Sequence, residues 1–221
     1  MGRSRRFQFS RMLIISAAAV LAWASPLAQN RDPLRYIEIL ESAERVKRLQ
    51  VERVIETLQL REGQIVADLG AGSGLFTRPM AEGVGADGVV YAIDIDPDLL
   101  AYIERTAASK NLSNIRTVIA AEFDPKIPEA VDLIFISDTL HHIRDPAEYL
   151  KILPRYLQPE GEVAVIDFKR NWPSGHDSMQ YTESELEEWM KAAGFELSTA
   201  HMFLEDHFFV IYRRTDGSGT S

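Results

Sequence analysis

Cysteine is absent from the 221 residues of this chain. Its absence excludes catalysis by a thiolate, zinc binding through sulfur, thiol redox chemistry and a fold held by disulfide bonds. A chain of this size folds without such links, because a domain of about 190 residues buries roughly 70% of the surface that its unfolded chain exposes. Hydrophobic residues make up 46% of the chain and charged residues 26%, which is typical of one globular domain with a short extra segment.

Net positive charge is missing beyond the first 30 residues, where acidic residues outnumber basic ones. The net charge is −9, and the first 30 residues contain four arginines and no acidic residue, so the remainder carries −13. A body this acidic lacks the positive field that attracts phosphate backbones. We therefore do not expect a nucleic acid as a partner.

Long hydrophobic runs are also missing. The apolar run at residues 13–24 would form a helix of about 18 Å, which is short of the roughly 30 Å of a bilayer core. Arginines precede it, and Ala22 and Ala24 frame a cleavage motif, so residues 1–28 are predicted to be a signal peptide or, if uncut, an N-terminal membrane anchor. The predicted location is then the periplasm or the inner-membrane surface, and the cytoplasm if the signal is unused. Residues 215–221 are interpreted as a flexible tail.

The body of the chain alternates between helix and strand patterns. Residues 33–60 carry apolar residues at three- and four-residue steps, which predicts helix. The short Val- and Ile-rich runs that follow, separated by helical stretches, predict a parallel sheet with helices on both faces. The predicted strands cover residues 65–69, 89–93, 115–119, 131–136, 163–167, 196–200 and 208–212. The loop between the last two is too short for a crossover helix, so they are predicted to form an antiparallel hairpin.

The strongest motif is VADLGAGSGLFT, in which Asp68 ends the first strand and Gly70, Gly72 and Gly74 turn the chain into a helix. Glycines allow positive φ and let a ligand approach the backbone closely. A dinucleotide-binding turn has the spacing G-x-G-x-x-G, and its third glycine would be residue 75, which is Leu75 here. This argues against an NAD-dependent oxidoreductase. An acid before the turn repels a pyrophosphate and attracts an ammonium or sulfonium group. The motif therefore favours a cationic nucleoside.

A second acidic residue follows on the next strand. Asp94 lies at the tip of that strand, where a carboxylate can accept hydrogen bonds from both ribose hydroxyls. Asp96 is the alternative, but it precedes Pro97 and is predicted to cap the following helix.

Together these features resemble the class I S-adenosylmethionine-dependent methyltransferases over residues 40–213. The chain resembles in particular small-molecule methyltransferases with a methyltransferase type 11 domain, including quinone C-methyltransferase-like proteins. That likeness rests on DTLHHIRDP at 138–146, LPRYLQPEGEVAVIDF at 153–168 and AGF at 193–195. It implies an α/β, Rossmann-like domain over residues 33–214, with a seven-stranded sheet of order 3-2-1-4-5-7-6, strand 7 antiparallel, and helices on both faces. It also implies S-adenosylmethionine as the cofactor.

The same resemblance assigns the cofactor-binding residues. Asp68 and the glycine turn would hold the methionine part, Asp94 the ribose, and the loop after the third strand the adenine. That loop has Ala121 and Glu122 where relatives commonly have Gly-Asp, so it stays open which of Glu122, Phe123 and Asp124 contacts adenine. The implied set is Asp68, Gly70, Ala71, Gly72, Ser73, Gly74, Asp94, Ile95, Glu122, Phe123 and Ser137.

Histidines supply the catalytic candidates. His141 and His142 lie in the loop after the fourth strand, which by family position borders the cofactor pocket, and a histidine can take a proton from a hydroxyl or an activated carbon acid. His176 follows the fifth strand, where it would orient the acceptor, with Arg170 pairing an acidic group. The alternatives are that His141 and His142 pack on the sheet or cap the next helix, and that His176 lies in a solvated loop.

The predicted function is methyl transfer from S-adenosylmethionine to a small, partly apolar acceptor at oxygen or carbon. No metal site is predicted, because Asp138 and Asp167 at neighbouring strand ends are a weak signal alone. The alternative is a non-catalytic cofactor-binding or scaffold protein of the same fold. The export signal motivates it, because S-adenosylmethionine is made in the cytoplasm.

Overall fold

A computed structural model describes residues 32–215 of the chain. The predicted signal or anchor at residues 1–28 lies outside the described residues, as does nearly all of the predicted tail. Within residues 32–215, none of the helices combines the length and hydrophobicity that crossing a bilayer requires.

The described residues form seven α-helices and seven β-strands, joined in places by short 3-10 turns. The helices are α1 (Pro33–Leu40), α2 (Ala43–Leu49), α3 (Val51–Leu58), α4 (Thr77–Val84), α5 (Pro97–Ser109), α6 (Pro146–Leu150) and α7 (Glu183–Ala192). The strands are β1 (Ile65–Leu69), β2 (Val89–Asp94), β3 (Ile115–Ile119), β4 (Val131–Ser137), β5 (Leu157–Phe168), β6 (Phe195–His201) and β7 (His207–Arg214).

The strands make one sheet of order β3-β2-β1-β4-β5-β7-β6, as predicted. The first five strands are parallel, and β7 runs antiparallel to both β5 and β6. β5 is longer than the predicted strand because its pairing with β4 resumes after a register shift, from Leu157 beside Val131 to Glu162 beside Leu133. The strand order reverses between β1 and β4, and open α/β sheets bind ligands at the carboxyl ends of the strands flanking such a reversal.

Both faces of the sheet are covered by apolar side chains. Successive residues of a strand point to opposite faces, so Ile134 joins one buried cluster and Phe135 joins another. Both side chains are fully buried, and truncating such a residue to alanine typically costs about 2–5 kcal/mol. This two-sided core fixes the strand ends from which the functional loops begin.

The helical segment predicted at residues 33–60 is divided into three helices. Ser42 caps α2 by accepting a hydrogen bond from the backbone of Arg45 (3.3 Å), and Gln50 and Gln59 break the later turns with φ of 44° and 48°. Left-handed backbone at a non-glycine residue ends a helix. The chain changes direction at these breaks. Leu40, at the end of α1, lies next to Gly72 in the glycine turn after β1.

Candidate active site

The glycine turn follows β1 in a conformation that only glycine adopts without strain. Gly70, Gly72 and Gly74 have φ of 75°, 55° and 78°, in the region that L side chains rarely enter. Gly70 also lacks space, because a Cβ there would lie 2.2 Å from the Thr139 side chain. The turn therefore packs directly against the loop after β4, and the Thr139 hydroxyl donates to the Gly70 carbonyl (3.3 Å).

Asp94 lies at the carboxyl end of β2 and organises this turn. One carboxylate oxygen accepts from the backbone N–H of Gly72 (2.8 Å), and the other accepts from the N–H of Asp96 (3.0 Å). Desolvation raises the pKa of Asp94, and those backbone bonds act in the opposite direction. A carboxylate has about four acceptor positions, so at least one remains for a ligand hydroxyl when the backbone bond from Ile95 is also counted. Asp96 caps α5 through the Asp98 N–H (2.9 Å), as predicted.

Asp68 is buried next to the turn. Asp68 is 3% exposed, and its carboxylate accepts a hydrogen bond from the Thr77 hydroxyl (2.5 Å). Desolvation raises its pKa to about 7, with the Thr77 bond opposing this rise and the charge of Asp94 adding to it. A cationic ligand above the turn would favour the ionised form of this buried carboxyl.

Two buried hydroxyls lie at the turn, one within it and one beside it. Ser73 within it and Ser137 at the end of β4 each have a buried side-chain oxygen that finds no hydrogen-bond partner among the described residues. Buried polar atoms are normally satisfied, so such orphans point to a ligand or to water. Together with the close backbone of the turn, which includes the buried Ala71, they fit a polar ligand such as the methionine part of S-adenosylmethionine.

The expected adenine edge presents apolar surface. The Ile95 and Phe123 side chains, after β2 and β3, remain 55% and 54% exposed. Glu122 pairs with Arg144 (2.6 Å), and Asp124 pairs with Arg155 (2.8 Å). Of the three alternatives in the loop after β3, only Phe123 has an apolar side chain, and its ring centroid lies 5.7 Å from the Arg144 guanidinium. An exposed aromatic ring of this kind can stack on adenine.

The N-terminal helices close over the turn. A Cβ on Gly72 would lie 3.2 Å from the Leu40 side chain. Glu41 next to it pairs with Arg78 (2.6 Å), and Arg45 pairs with Asp138 (2.9 Å). The nearby His207 imidazole and the Arg45 guanidinium hold the pKa of Asp138 at about 2 despite its burial. His207 Nε2 lies 3.1 Å from Oδ1 of Asp138.

The loops after β4 and β5 bring the three predicted histidines together. The ring centroid of His141 lies 4.1 Å from that of His142 and 5.3 Å from that of His176. His141 is buried, and its Nδ1 lies 2.7 Å from Oδ1 of the fully buried Asp167. Asp167 also accepts from the Tyr181 hydroxyl (2.9 Å). The carboxylate thus fixes the orientation of the His141 ring and leaves its Nε2 for chemistry.

A pocket of about 310 Å³ borders this cluster. Its lining comprises His141, His142, Ile143, Arg144, Pro146, Ser178, Met179, Gln180, Tyr181 and Trp189. His142 keeps an exposed edge, yet desolvation, followed by the charges that His141 and His176 would carry, lowers its pKa to about 4. At neutral pH the His142 ring is therefore uncharged.

Other residues proposed from the sequence lie elsewhere. Arg170 pairs with Asp206 (3.1 Å) and Glu205 (3.3 Å). The 3-10 turn that carries His141 and His142 ends before α6, and that helix is capped by Asp145, so the helix-capping alternative for the histidines is wrong. The sequence reasoning missed Asp167 as the partner of His141; its one signal was an acid ending the strand next to the histidine loop.

Comparisons with known proteins agree with this architecture. A family model described as a methyltransferase domain matches residues 60–206. The chain is 27% identical over 170 residues to the ubiquinone biosynthesis O-methyltransferase of Saccharophagus degradans, covering 67% of this chain and 70% of that protein. It is 29% identical over 127 residues to the ubiquinone/menaquinone biosynthesis C-methyltransferase of Idiomarina loihiensis, covering 57% of this chain and 51% of that protein. The chain thus spans only about half the length of the second relative.

A solved structure extends the likeness to three dimensions. The crystal structure of a SAM-dependent methyltransferase from Aquifex aeolicus superposes with a TM-score of 0.74 and 28% sequence identity, covering 84% of this chain and 100% of that one. Given the matched family model, the strand order and the glycine turn with its two orphan hydroxyls, the chain belongs to the methyltransferase domain family and is an S-adenosylmethionine-dependent methyltransferase.

Proposed function

We propose that this enzyme methylates a hydroxyl oxygen of a small, partly apolar aromatic acceptor bound in the histidine pocket. The observation that carries the proposal is the buried His141–Asp167 pair (2.7 Å) at the wall of that pocket. The same loop contacts the cofactor turn through Thr139. Thr139, which contacts the cofactor turn, is therefore only two residues from His141 on the same loop.

The chemistry needs few protein groups. Bound S-adenosylmethionine supplies a methyl group that its sulfonium already activates. The protein then has to hold the acceptor oxygen in line, and positioning of this kind can supply several kcal/mol of the barrier reduction, up to about 7–11 kcal/mol in the best intramolecular cases. A hydroxyl oxygen must also lose its proton, and the histidine pocket is where the chain offers a group for that step.

The dimensions and lining of the pocket support a small acceptor. Its volume of about 310 Å³ lies at the lower end of the range of roughly 300–1,000 Å³ for ligand pockets. Tyr181, Trp189 and Met179 give it apolar walls, and His142 and Gln180 add polar groups. This combination suits a hydroxylated ring. The C-methyltransferase relative keeps a ring carbon as the second candidate for the methylated atom.

The test is transfer of label from methyl-labelled S-adenosylmethionine to a panel of phenols and catechols with and without an apolar side chain. We expect label on an acceptor oxygen, lost on His141→Asn and retained on His201→Gln, a matched histidine on β6. Label on a ring carbon would support the second candidate. Cofactor binding without transfer to any of these compounds would support the scaffold alternative and contradict the proposal.

We also propose that residues 1–28 export or anchor the domain, on the sequence pattern alone. Fusing compartment-sensitive reporters after residue 30 and at the C-terminus tests this. Activity of the cytoplasmic reporter at both positions, with no membrane-bound fraction, would contradict it.

A further inference from the structure

Two histidines that line the acceptor pocket, His141 and His142, form a cluster with the neighbouring His176. One ligating nitrogen from each of His141, His142 and His176 can be chosen so that all three lie within 4.8 Å of one another. They come from two loops that follow neighbouring parallel strands, β4 and β5. Within the described residues, no hydrogen bond joins one of these rings to another. The three imidazoles thus lie close together without hydrogen bonds between them.

The outer contacts of the cluster leave the inward nitrogens available. Asp167 takes up Nδ1 of His141 (2.7 Å) and is itself held by the Tyr181 hydroxyl (2.9 Å) and the Phe168 backbone N–H (2.9 Å). A carboxylate behind a histidine is the usual outer support of a metal ligand, because it fixes the tautomer and strengthens the other nitrogen as a donor. His176 Nδ1 lies 3.2 Å from the Pro173 carbonyl, so it too can donate backwards and offer Nε2 to the centre.

We propose that His141, His142 and His176 bind one divalent transition-metal ion of the zinc class, with its remaining position open to the acceptor pocket. Three imidazoles without thiolate or carboxylate in the inner set suit zinc and its neighbours better than magnesium or calcium. Three protein ligands with an open position is also the arrangement of a catalytic, as opposed to a structural, zinc site.

Closing on the ion needs a modest movement. At zinc–nitrogen distances of about 2.0–2.1 Å, tetrahedral ligands lie about 3.3 Å apart, so the nitrogens within 4.8 Å must approach further. His141 is held by the buried Asp167, whereas His142 is exposed and His176 is half-buried in the loop after β5. The last two side chains can supply the movement without disturbing the sheet.

The role of the ion rests on the proposed function. A hydroxyl bound at the open position would lose its proton more readily, because a bound cation lowers the pKa of its ligands. The metal, instead of one imidazole, would then activate the acceptor oxygen.

The binding test uses the full chain after removal of any affinity tag and treatment with EDTA. Co²⁺ is titrated alone, without cofactor or acceptor, and the visible d–d absorption is followed; Zn²⁺ is titrated by calorimetry. We expect one ion per chain, with affinity at least about tenfold weaker in His142→Ala and His176→Ala and unchanged in His201→Ala. A tenfold or greater loss in Asp167→Asn is expected from its outer-support role. Circular dichroism confirms folding of each variant.

Each result decides the proposal. Absence of the Co²⁺ spectrum, or equal affinity in the His142, His176 and His201 variants, overturns the metal site. If the metal-free protein still methylates phenols at full rate, the proposed function stands and the metal role fails. If metal affinity falls in the His142 and His176 variants as expected but no phenol is methylated, the metal site stands and the proposed function fails.

Discussion

Alanine at Gly70 tests the contact between the cofactor turn and the histidine loop. The substitution has two separable costs. Left-handed backbone at φ 75° costs an L-residue about 1–2 kcal/mol. The new Cβ would also lie 2.2 Å from the Thr139 side chain, and overpacking of this kind costs about 1–3 kcal/mol. We therefore expect Gly70→Ala to lower the free energy of unfolding by about 2–5 kcal/mol.

Gly63 provides the matched control. Its φ is 82°, but a Cβ there meets nothing within 4 Å, so Gly63→Ala should cost only the backbone part, about 1–2 kcal/mol. Urea unfolding measures both variants; a 3 kcal/mol loss moves the midpoint by about 1–2 M at an m-value of about 2 kcal/mol/M. Combining Gly70→Ala with Thr139→Gly in a double-mutant cycle isolates the contact. If Gly70→Ala is no more destabilising than Gly63→Ala, or the cycle shows no coupling, the described packing is wrong.

Three further predictions concern acidic residues of the site. Asp94→Ala should weaken S-adenosylmethionine binding about 10- to 150-fold in calorimetry, the loss of roughly 1.5–3 kcal/mol expected for hydrogen bonds to a charged group; Asp98→Ala is the control, and equal affinities would contradict the assignment. Burial raises the Asp68 pKa from 3.8 to about 7, so its stabilising contribution is complete below pH 3.8 and is lost as pH rises through 7. Asp68→Asn should accordingly gain stability relative to the original chain between pH 5 and pH 8 in urea unfolding, and a constant difference would refute this. Asp167→Asn should slow methyl transfer by about 10²–10⁴-fold while cofactor affinity is kept, because the carboxylate contacts His141 and Tyr181 and not the glycine turn; an unchanged rate would argue against the pair.

The fold was predictable because its signals are local. Short Val- and Ile-rich runs alternate with helical periods, and the glycine turn marks the reversal point of the sheet; the resemblance to a known superfamily then supplied the strand order. The helical segment at residues 33–60 was less well predicted, because Gln50 and Gln59 adopt left-handed backbone that no glycine in the sequence signals.

Sequence patterns pointed to individual residues of the candidate site but not to their arrangement. His142 and His176 are 34 positions apart, and only the pairing of β4 with β5 brings their loops together. The partner of Arg170 depends on the turn before β7, where Asp206 lies. Burial of Asp68 depends equally on how α4 places Thr77 over it. Such relations arise from tertiary packing, which sequence patterns do not encode one element at a time.

The most direct test of the central claim is a structure of the full chain with S-adenosylhomocysteine and a phenolic acceptor. The ribose hydroxyls should contact Asp94, and the sulfur should face the pocket beside His141. The acceptor oxygen should lie where a methyl group on that sulfur would be about 3–3.5 Å away. A nucleoside bound away from Asp94, or a sulfur turned away from the histidine pocket, would contradict the account.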